Sequence, residues 1–540
     1  MESSARRRRT PPEPERPPAA GRAPHPVDPD HVEPDPPPTP GDTAPARTPA
    51  PGTAPRGARR RRIPGGVPPP APHRPLPDGT QTGQLPRVLT GRRRTTLLVL
   101  AAVALVSAVA LVVGLLSWAP RPSDPPRALT AEERTRLAAM RVTNYRDLRA
   151  GVRLTAGTGG ERTELVGWVD WSRPLVYLDV GGPGAGPARG LLQATPSTVV
   201  LRPDPDAVPT PAPPPLVPPA DRWRLTALPA GGRLAPVLDL LFGLAADRPD
   251  APAADTARWT GRTDVAAQPV DILTAPLPAP ADAATPALPD GRWWVDGDAR
   301  LHRLEVRLPG AGPVTVQLNR TDRPTLRPVD ALGGRPGTPR TLTPAEQRRL
   351  ERLPARLRDV GGATVTVTAP LGPGTNLRGA GWLTWSRRDA YLVVADLDQP
   401  GRRTLVRHDA GRATRTDVPA GTVPGTVEAP GRPPLPVPVD GWRAAPADDL
   451  TTLVATALRA GTAAPIGTAR RIREDSLAGT GVDVVELRSS GARLRYWIDR
   501  SGLLRRLELP TRAHTWAQLD LVPGSVPRLD AARTTTSGGR

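Results

Sequence analysis

Cysteine and lysine are both missing from this 540-residue chain. Without cysteine there is no disulfide, no thiolate zinc site and no cysteine nucleophile. Without lysine there is no Schiff-base amine, no phosphate-loop lysine and no kinase strand lysine. Aromatic residues are scarce as well, with 12 Trp, 4 Tyr and 1 Phe, and none of them falls in residues 1–94. That proline-dense stretch cannot bury enough apolar area to offset its ordering entropy, so disorder is expected there. Runs such as Pro34 to Pro40 favour extended polyproline conformations.

The formal net charge is +20, and every cationic side chain other than histidine is arginine. An all-arginine composition fits a GC-rich genome better than selection for bidentate contacts. Arginine runs stand at 6–9, 59–62 and 92–94. The first two suit an anionic membrane surface better than nucleic acid, because no aromatic residue is interleaved to stack on bases. The third abuts Thr95 to Trp118, an apolar segment without a charged residue. Its length suffices to cross a hydrocarbon core of about 30 Å as a helix. Trp118 ends it where an interfacial indole is expected, and the denser arginine cluster at 92–94 should remain cytoplasmic. A cleaved signal peptide is the competing reading, but the long preceding region and the length of the apolar run argue against it. No cysteine follows the span, so there is no site for an acyl anchor. The expectation is a single-pass protein of the cell membrane with residues 1–94 inside and everything beyond about 120 outside.

The remainder of the chain says nearly the same thing twice. LTAEERTRL (129–137) returns as LTPAEQRRL (342–350), and GWVDWSRPLVYL (167–178) as GWLTWSRRDAYL (381–392). DRWR at Asp221 returns as DGWR at Asp440, and WWVDGDARLHRLEVRL (293–308) as YWIDRSGLLRRLELP (496–510). Matches in the same order define a duplicated unit: copy 1 over 129–321, a Pro/Gly-rich linker over 322–341, copy 2 over 342–530, and a disordered C-terminus over 531–540.

Each copy opens on a helix with a capping box, Thr130 with Glu133 and Thr343 with Glu346. Pro354 should shorten or kink the second of these helices. Period-two strand patterns follow, separated by turn residues. A Pro-rich loop (roughly 202–220 and 420–438) then leads to another helix, over 234–246 and 448–461. The last strands pair through a short turn. Gly502 suits that turn in copy 2. In copy 1 Ala299 stands in its place, and Gly297 is expected to carry the turn instead. The fold class implied is α+β: two tandem curved antiparallel sheets, unclosed half-barrels, each packed on helices.

The closing hairpin RYWIDRSGLLRRLEL, with Trp497, Ile498, Asp499, Gly502, Leu503 and Arg505 or Arg506, resembles the LolA/LppX/LprG superfamily of bacterial envelope proteins and the large domain of RseB-like sigma-factor regulators. Trp294, Val295 and Asp296 match it in copy 1. The resemblance implies an unclosed barrel whose concave face, plugged by helices, holds acyl chains or a lipidated partner.

Trp168, Trp171 and Tyr177 in copy 1, and Trp382, Trp385 and Tyr391 in copy 2, are the candidate cavity residues. Plain sheet-to-helix packing is the simpler reading for the tryptophans. Positions three apart on a strand face opposite sides, so one Trp of each pair should point inward and the other outward. Asp296 and Asp499 are expected to accept turn hydrogen bonds. His302, His408 and His514 fall in unmatched places, so no metal site is expected. Neither Ser172 nor Ser386 sits in a nucleophile elbow. With no catalytic constellation, metal or cofactor expected, two functions remain. One is a membrane-anchored extracytoplasmic binding protein for lipids or lipid-linked molecules. The other is an envelope sensor or scaffold working through protein contacts, with a cytoplasmic partner for its basic Pro-rich tail. Protease applied to intact cells stripped of wall should digest only the part C-terminal to the span and leave the tail protected; digestion of the tail, or release of a soluble C-terminal fragment, overturns the topology.

Overall fold

The computed structural model describes residues 124–529, apart from 229–231, 252–254, 279–288, 410 and 490–491, together with Ala104 and Ser107. The expected tail at 1–94 and the C-terminus at 531–540 lie outside the described residues. So does the expected span at 95–118, except that Ala104 and Ser107 are helical. Among the described residues no helix is long and apolar enough to cross a membrane.

Repeat 1 comprises β1 (Arg127–Ala128), α1 (Ala131–Asp147), β2 (Arg149–Ala156), β3 (Thr163–Asp170), β4 (Leu175–Gly181), β5 (Gly190–Thr195), β6 (Thr198–Pro203) and β7 (Arg224–Thr226). It continues with α2 (Leu234–Gly243), β8 (Arg258–Val265), β9 (Gln268–Pro276), β10 (Asp290–Asp296), β11 (Leu301–Leu308) and β12 (Gly312–Asn319). Repeat 2 reproduces the series as β13 (Arg340–Thr341), α3 (Pro344–Val360), β14 (Gly362–Gly372), β15 (Thr375–Thr384), β16 (Asp389–Asp396), β17 (Gln399–Asp409), β18 (Arg412–Pro419) and β19 (Arg443–Ala444). Then follow α4 (Asp449–Arg459), β20 (Thr468–Leu477), β21 (Thr480–Ser489), β22 (Ala492–Asp499), β23 (Leu504–Pro510) and β24 (Trp516–Pro523). Each repeat is one 12-stranded sheet in the order β1-β8-β9-β10-β11-β12-β2-β3-β4-β5-β6-β7, and its equivalent β13-β20-β21-β22-β23-β24-β14-β15-β16-β17-β18-β19. Neighbouring strands pair antiparallel, and the first and last strands of each order do not pair, so neither sheet closes.

Strands about 4.8 Å apart would make a flat sheet of this size roughly 50 Å wide. Yet one core joins Trp259 of β8 and Ala194 of β5, near opposite edges, to Leu137 and Met140 of α1 and Leu238 and Leu241 of α2. The sheet must therefore curl around its helices. Glycine makes part of that curl. A Cβ on Gly167 would lie 2.1 Å from the Tyr177 carbonyl oxygen, and one on Gly381 2.1 Å from that of Tyr391. The strands approach too closely there for any side chain.

The helix starts follow from local chemistry. Glu133 accepts from the Thr130 backbone at 2.8 Å and returns a backbone donor to the Thr130 hydroxyl; Glu346 and Thr343 repeat the pair. Arg127 and Arg340, on the strands before, each clamp that same glutamate through two bonds of 2.8 and 2.7 Å. The Arg340 clamp holds the Glu346 carboxyl down at about 2. Pro354 does not shorten helix α3. The helix runs 17 residues, as long as α1. One backbone donor is lost, but the proline is buried on the same face as Leu350, Leu353 and Leu357 and the helix continues.

The hairpin turns bring a second correction. Ala299 itself takes φ 61°, as Gly502 takes 84°, and Gly297 does not carry the left-handed position. Asp296 accepts the backbone N–H groups of Asp298 and Arg300 at 2.9 and 2.8 Å, which holds Ala299 in place. Asp499 does the same for Leu503 at 3.0 Å and receives the Ser501 hydroxyl at 2.6 Å, as expected of both aspartates.

Residues 322–341, read from composition as a linker, are packed in the structure. Leu326, Val329 and Ala331 are buried with Trp168 and Tyr177 on the outer face of sheet 1. Gln193, fully buried, donates to the Arg327 carbonyl at 3.0 Å and accepts the Val329 N–H at 2.9 Å, so its amide substitutes for a paired strand. After β24 the chain does likewise in repeat 2, where Leu529 and Val526 pack with Trp382 and Tyr391. Asn376 plays the Gln193 role between the repeats, exchanging bonds of 2.7 and 2.9 Å with both backbone groups of Leu225 on edge strand β7.

Gly381→Ala should lower the unfolding free energy of the outer region by about 3 kcal/mol, because a backbone carbonyl cannot yield. Gly502→Ala, where an added Cβ meets nothing within 4 Å, should cost only about 1 kcal/mol of left-handed strain. Denaturant titration of the two variants side by side measures the contrast; equal costs would remove the curvature argument.

Candidate functional site

Between the inner face of sheet 2 and helix α4 lie two adjoining spaces. The smaller, of about 330 Å³, has Leu371, Leu377, Val394 and Val406 among its walls, with Leu450 at the start of α4. The larger, of about 860 Å³ and more open, lies along α4 against Ala413 and His408 near the β17–β18 turn. Both are bounded by Ala445, Pro446 and Thr451, so one short segment and the first turn of α4 stand between them.

The strand pleat puts alternate residues of β17 on this face. Thr404, Val406 and His408 point inward while Leu405 packs on the outer face. His408 is buried, and its Nε2 makes no hydrogen bond within the protein. Burial pushes the imidazole down to about 4, only partly opposed by Asp448. At neutral pH it is an uncharged ring that presents a free nitrogen. Arg415 of β18 also lines the smaller space and forms no ion pair among the described residues. Its neighbour Asp417 is held below the usual carboxylate range by the Arg443 guanidinium at 2.6 Å, with help from the Thr404 hydroxyl at 2.8 Å. The pair Asp417–Arg443 is satisfied internally, and Arg415 remains as the available cation. An apolar floor, one unpaired guanidinium and one neutral imidazole can receive an amphipathic molecule with an acidic or hydroxylated head.

Repeat 1 treats the same place differently. The strand registers align Ala194 with His408 and Leu201 with Arg415, and both join the apolar core of repeat 1. The β4–β5 connection is longer than its two-residue counterpart Leu397–Asp398 and turns Ala185 and Ala188 into that core. A space of about 410 Å³ persists along α2, edged by Leu238, Asp239 and Phe242, and Pro373, Ala513 and His514 of repeat 2 form part of its wall.

The six aromatic candidates are placed as follows. Trp171 and Trp385 face inward and donate their indole N–H to helix carbonyls, Leu241 at 2.9 Å and Ala457 at 3.0 Å. They satisfy acceptors that the helix ends leave open. Trp168 and Tyr177, and Trp382 and Tyr391, pack together on the outer faces at ring-centroid distances of 6.2 and 6.5 Å. Trp168 donates to Asp322 at 2.8 Å. Both tyrosine hydroxyls are buried without a protein partner, and burial raises their pKa. None of the six lines the spaces described above. His408 and Arg415 were missed as site residues because the histidines matched nothing between copies. The mismatch itself was the signal, since a duplicated core position that exchanges Ala for His and Leu for Arg has lost its packing role. His302 accompanies Asp296 at 2.9 Å, in the place where Arg505 reaches Asp499 at 2.7 Å. Among the described residues no group of three or more acidic, His or Cys side chains is placed to hold a metal ion.

Solved structures that resemble this chain include two mycobacterial proteins. They are the lipoprotein LppX of Mycobacterium tuberculosis, at 11% identity over 34% of this chain and 100% of that one with a TM-score of 0.20, and LprF of Mycobacterium bovis, at 11% identity over 35% and 99% with a TM-score of 0.22. No family model matches the chain, and no curated protein matches it in sequence.

The His408 environment predicts a pH effect with a definite sign. The unfolded imidazole takes its proton near 6.5 and the folded one near 4, so the folded state loses stability as pH falls between those values. Relative to His408→Asn, the wild type should lose up to about 3 kcal/mol over that interval. Denaturant titrations of both proteins across the pH range read this difference; parallel curves would mean that His408 is not held neutral.

Proposed function

We propose that this protein is a membrane-anchored extracytoplasmic binding protein for lipids or lipid-linked molecules, with repeat 2 as the copy that holds the ligand. The observation that carries the reading is the pair of spaces between sheet 2 and α4, about 330 and 860 Å³, sizes typical of small-molecule sites, which run from about 300 to 1,000 Å³. Leu377, Val394 and Val406 provide apolar wall for an acyl or isoprenoid segment. Arg415 and His408 provide charge and a hydrogen bond for a head group. Repeat 1 serves as the base: Ala194 and Leu201 pack in its core at the places of His408 and Arg415, and Asn376 and the 322–341 segment, through Gly333 with Arg495 and Asp330 with Arg506, hold it to repeat 2. The role is one of binding rather than catalysis.

In the same reading, the apolar segment 95–118 anchors the protein, Arg92 to Arg94 keep the preceding tail cytoplasmic, and the tail offers a basic Pro-rich ligand to a partner inside the cell.

The full chain, purified under native conditions and extracted with organic solvent, should release a lipid detectable by mass spectrometry. Ala455→Trp, which fills the larger space beside α4, should reduce the recovered lipid by about tenfold, whereas Asp239→Trp, at the matching position of α2, should leave it unchanged. Recovery of no lipid from the wild type, or equal loss in both variants, overturns the assignment and leaves the envelope sensor or scaffold as the better reading.

A further inference from the structure

Helix α3 carries a second feature that the ligand spaces do not use. Arg348, Arg352 and Arg356 follow one another at four-residue spacing, so they form a single stripe about 12 Å long. All three are exposed, and none forms an ion pair among the described residues. They line an open groove of about 620 Å³, walled on its other side by the β22–β23 turn with Arg500, Ser501 and Gly502. Arg349 and Arg500 also line it, as do two carboxylates, Asp483 and Glu474. Arg349 is spent on Asp483 at 2.6 Å, and Arg500 lies 3.6 Å from Glu474. Five guanidiniums against two carboxylates leave three cations unneutralised, and those are the three of the stripe.

The duplication supplies the control. Aligning the capping boxes sets Thr135, Ala139 and Thr143 of α1 opposite Arg348, Arg352 and Arg356. The fold therefore builds this helix without any charge at these places, and like charges four apart destabilise a helix. The surroundings diverge too. In repeat 1 the chain after α2 returns across α1, where Asp250 takes a backbone bond from its own N–H to the Ala138 carbonyl and pairs with Arg141 at 2.9 Å. In repeat 2 the α4–β20 connection spans only residues 460–467 and turns Arg358 to the Gly461 carbonyl, while the stripe stays uncovered.

We propose that this groove binds a linear polyanion bearing phosphate or carboxylate groups along its chain. The inference is independent of the lipid reading. An open groove with guanidiniums along one wall and the Arg500 turn along the other suits an extended chain that can lie within it better than a flat bilayer. Evenly spaced arginines match repeated oxyanions, because each planar guanidinium can grip one group through two parallel bonds.

The test uses the full chain in nanodiscs of zwitterionic lipid, with short-chain inorganic polyphosphate and alginate as probes and neutral dextran as the control. Hydrogen exchange reads the site separately from the basic tail. Either polyanion should slow exchange in 344–360 and leave 131–147 unchanged. The variant Arg348→Thr/Arg352→Ala/Arg356→Thr, which installs the residues that repeat 1 tolerates, should bind about tenfold more weakly and with a salt dependence shallower by about two in log–log slope. Binding that leaves α3 exchange unaltered, or equal affinity and slope in the variant, overturns the proposal. So does protection of α3 by anionic phospholipid vesicles but by neither polymer, which would assign the stripe to a membrane surface.

Discussion

Both repeats depend on a sheet that bends far enough to surround two short helices. The bend requires strands β3 and β4, and β15 and β16, to come closer than a side chain allows, and Gly167 and Gly381 stand where the Tyr177 and Tyr391 carbonyls press in. Once the sheet is curled, its inner face has a limited volume shared by strand side chains, two helices and whatever else enters. The outer face is left convex and apolar. Each repeat covers it with its Pro-rich loop and with the segment that follows its last strand. Trp223 and Trp442 secure those loops alike, each donating its indole N–H to the carbonyl four residues earlier, Pro219 at 2.6 Å and Pro438 at 2.7 Å.

The two copies share this scaffold and divide on how the inner volume is filled. Repeat 1 has Ala194, Leu201, Ala185 and Ala188 in its core. Repeat 2 replaces the first two with His408 and Arg415, and its β16–β17 connection is a two-residue turn. A space opens where packing was withdrawn, and polar groups that would be costly in a closed core find themselves at its edge. The neutral imidazole of His408 is the result of that setting: burial penalises the charged form more than any neighbour stabilises it. The same asymmetry appears on the outside of the opening helices, neutral and crossed by the chain in repeat 1, basic and open in repeat 2.

Much of the fold was legible in the chain before any coordinates. Capping boxes at Thr130 and Thr343 started helices where expected, because both partners lie within one turn. The pairs Trp168/Trp171 and Trp382/Trp385 divided between faces, because the pleat decides it. Less legible were Ala299, Pro354 and residues 322–341. Ala299 accepts a left-handed backbone because Asp296 ties down the N–H groups on either side of it. Pro354 stays within a helix because the helix is held by its buried face. The segment 322–341 has a linker composition but a place on the outer sheet, fixed by Gln193 from far away in sequence.

From order and periodicity alone, the chain determined a duplicated α+β unit, the alternation of faces along each strand and the chemistry of its turns, since these depend on residues that are neighbours or two to four apart. Which copy keeps an opening, which cation goes unpaired, and how the convex faces are covered were decided only by the tertiary structure. Those outcomes turn on volumes and distances between segments from a few tens to well over a hundred residues apart, which no local pattern specifies.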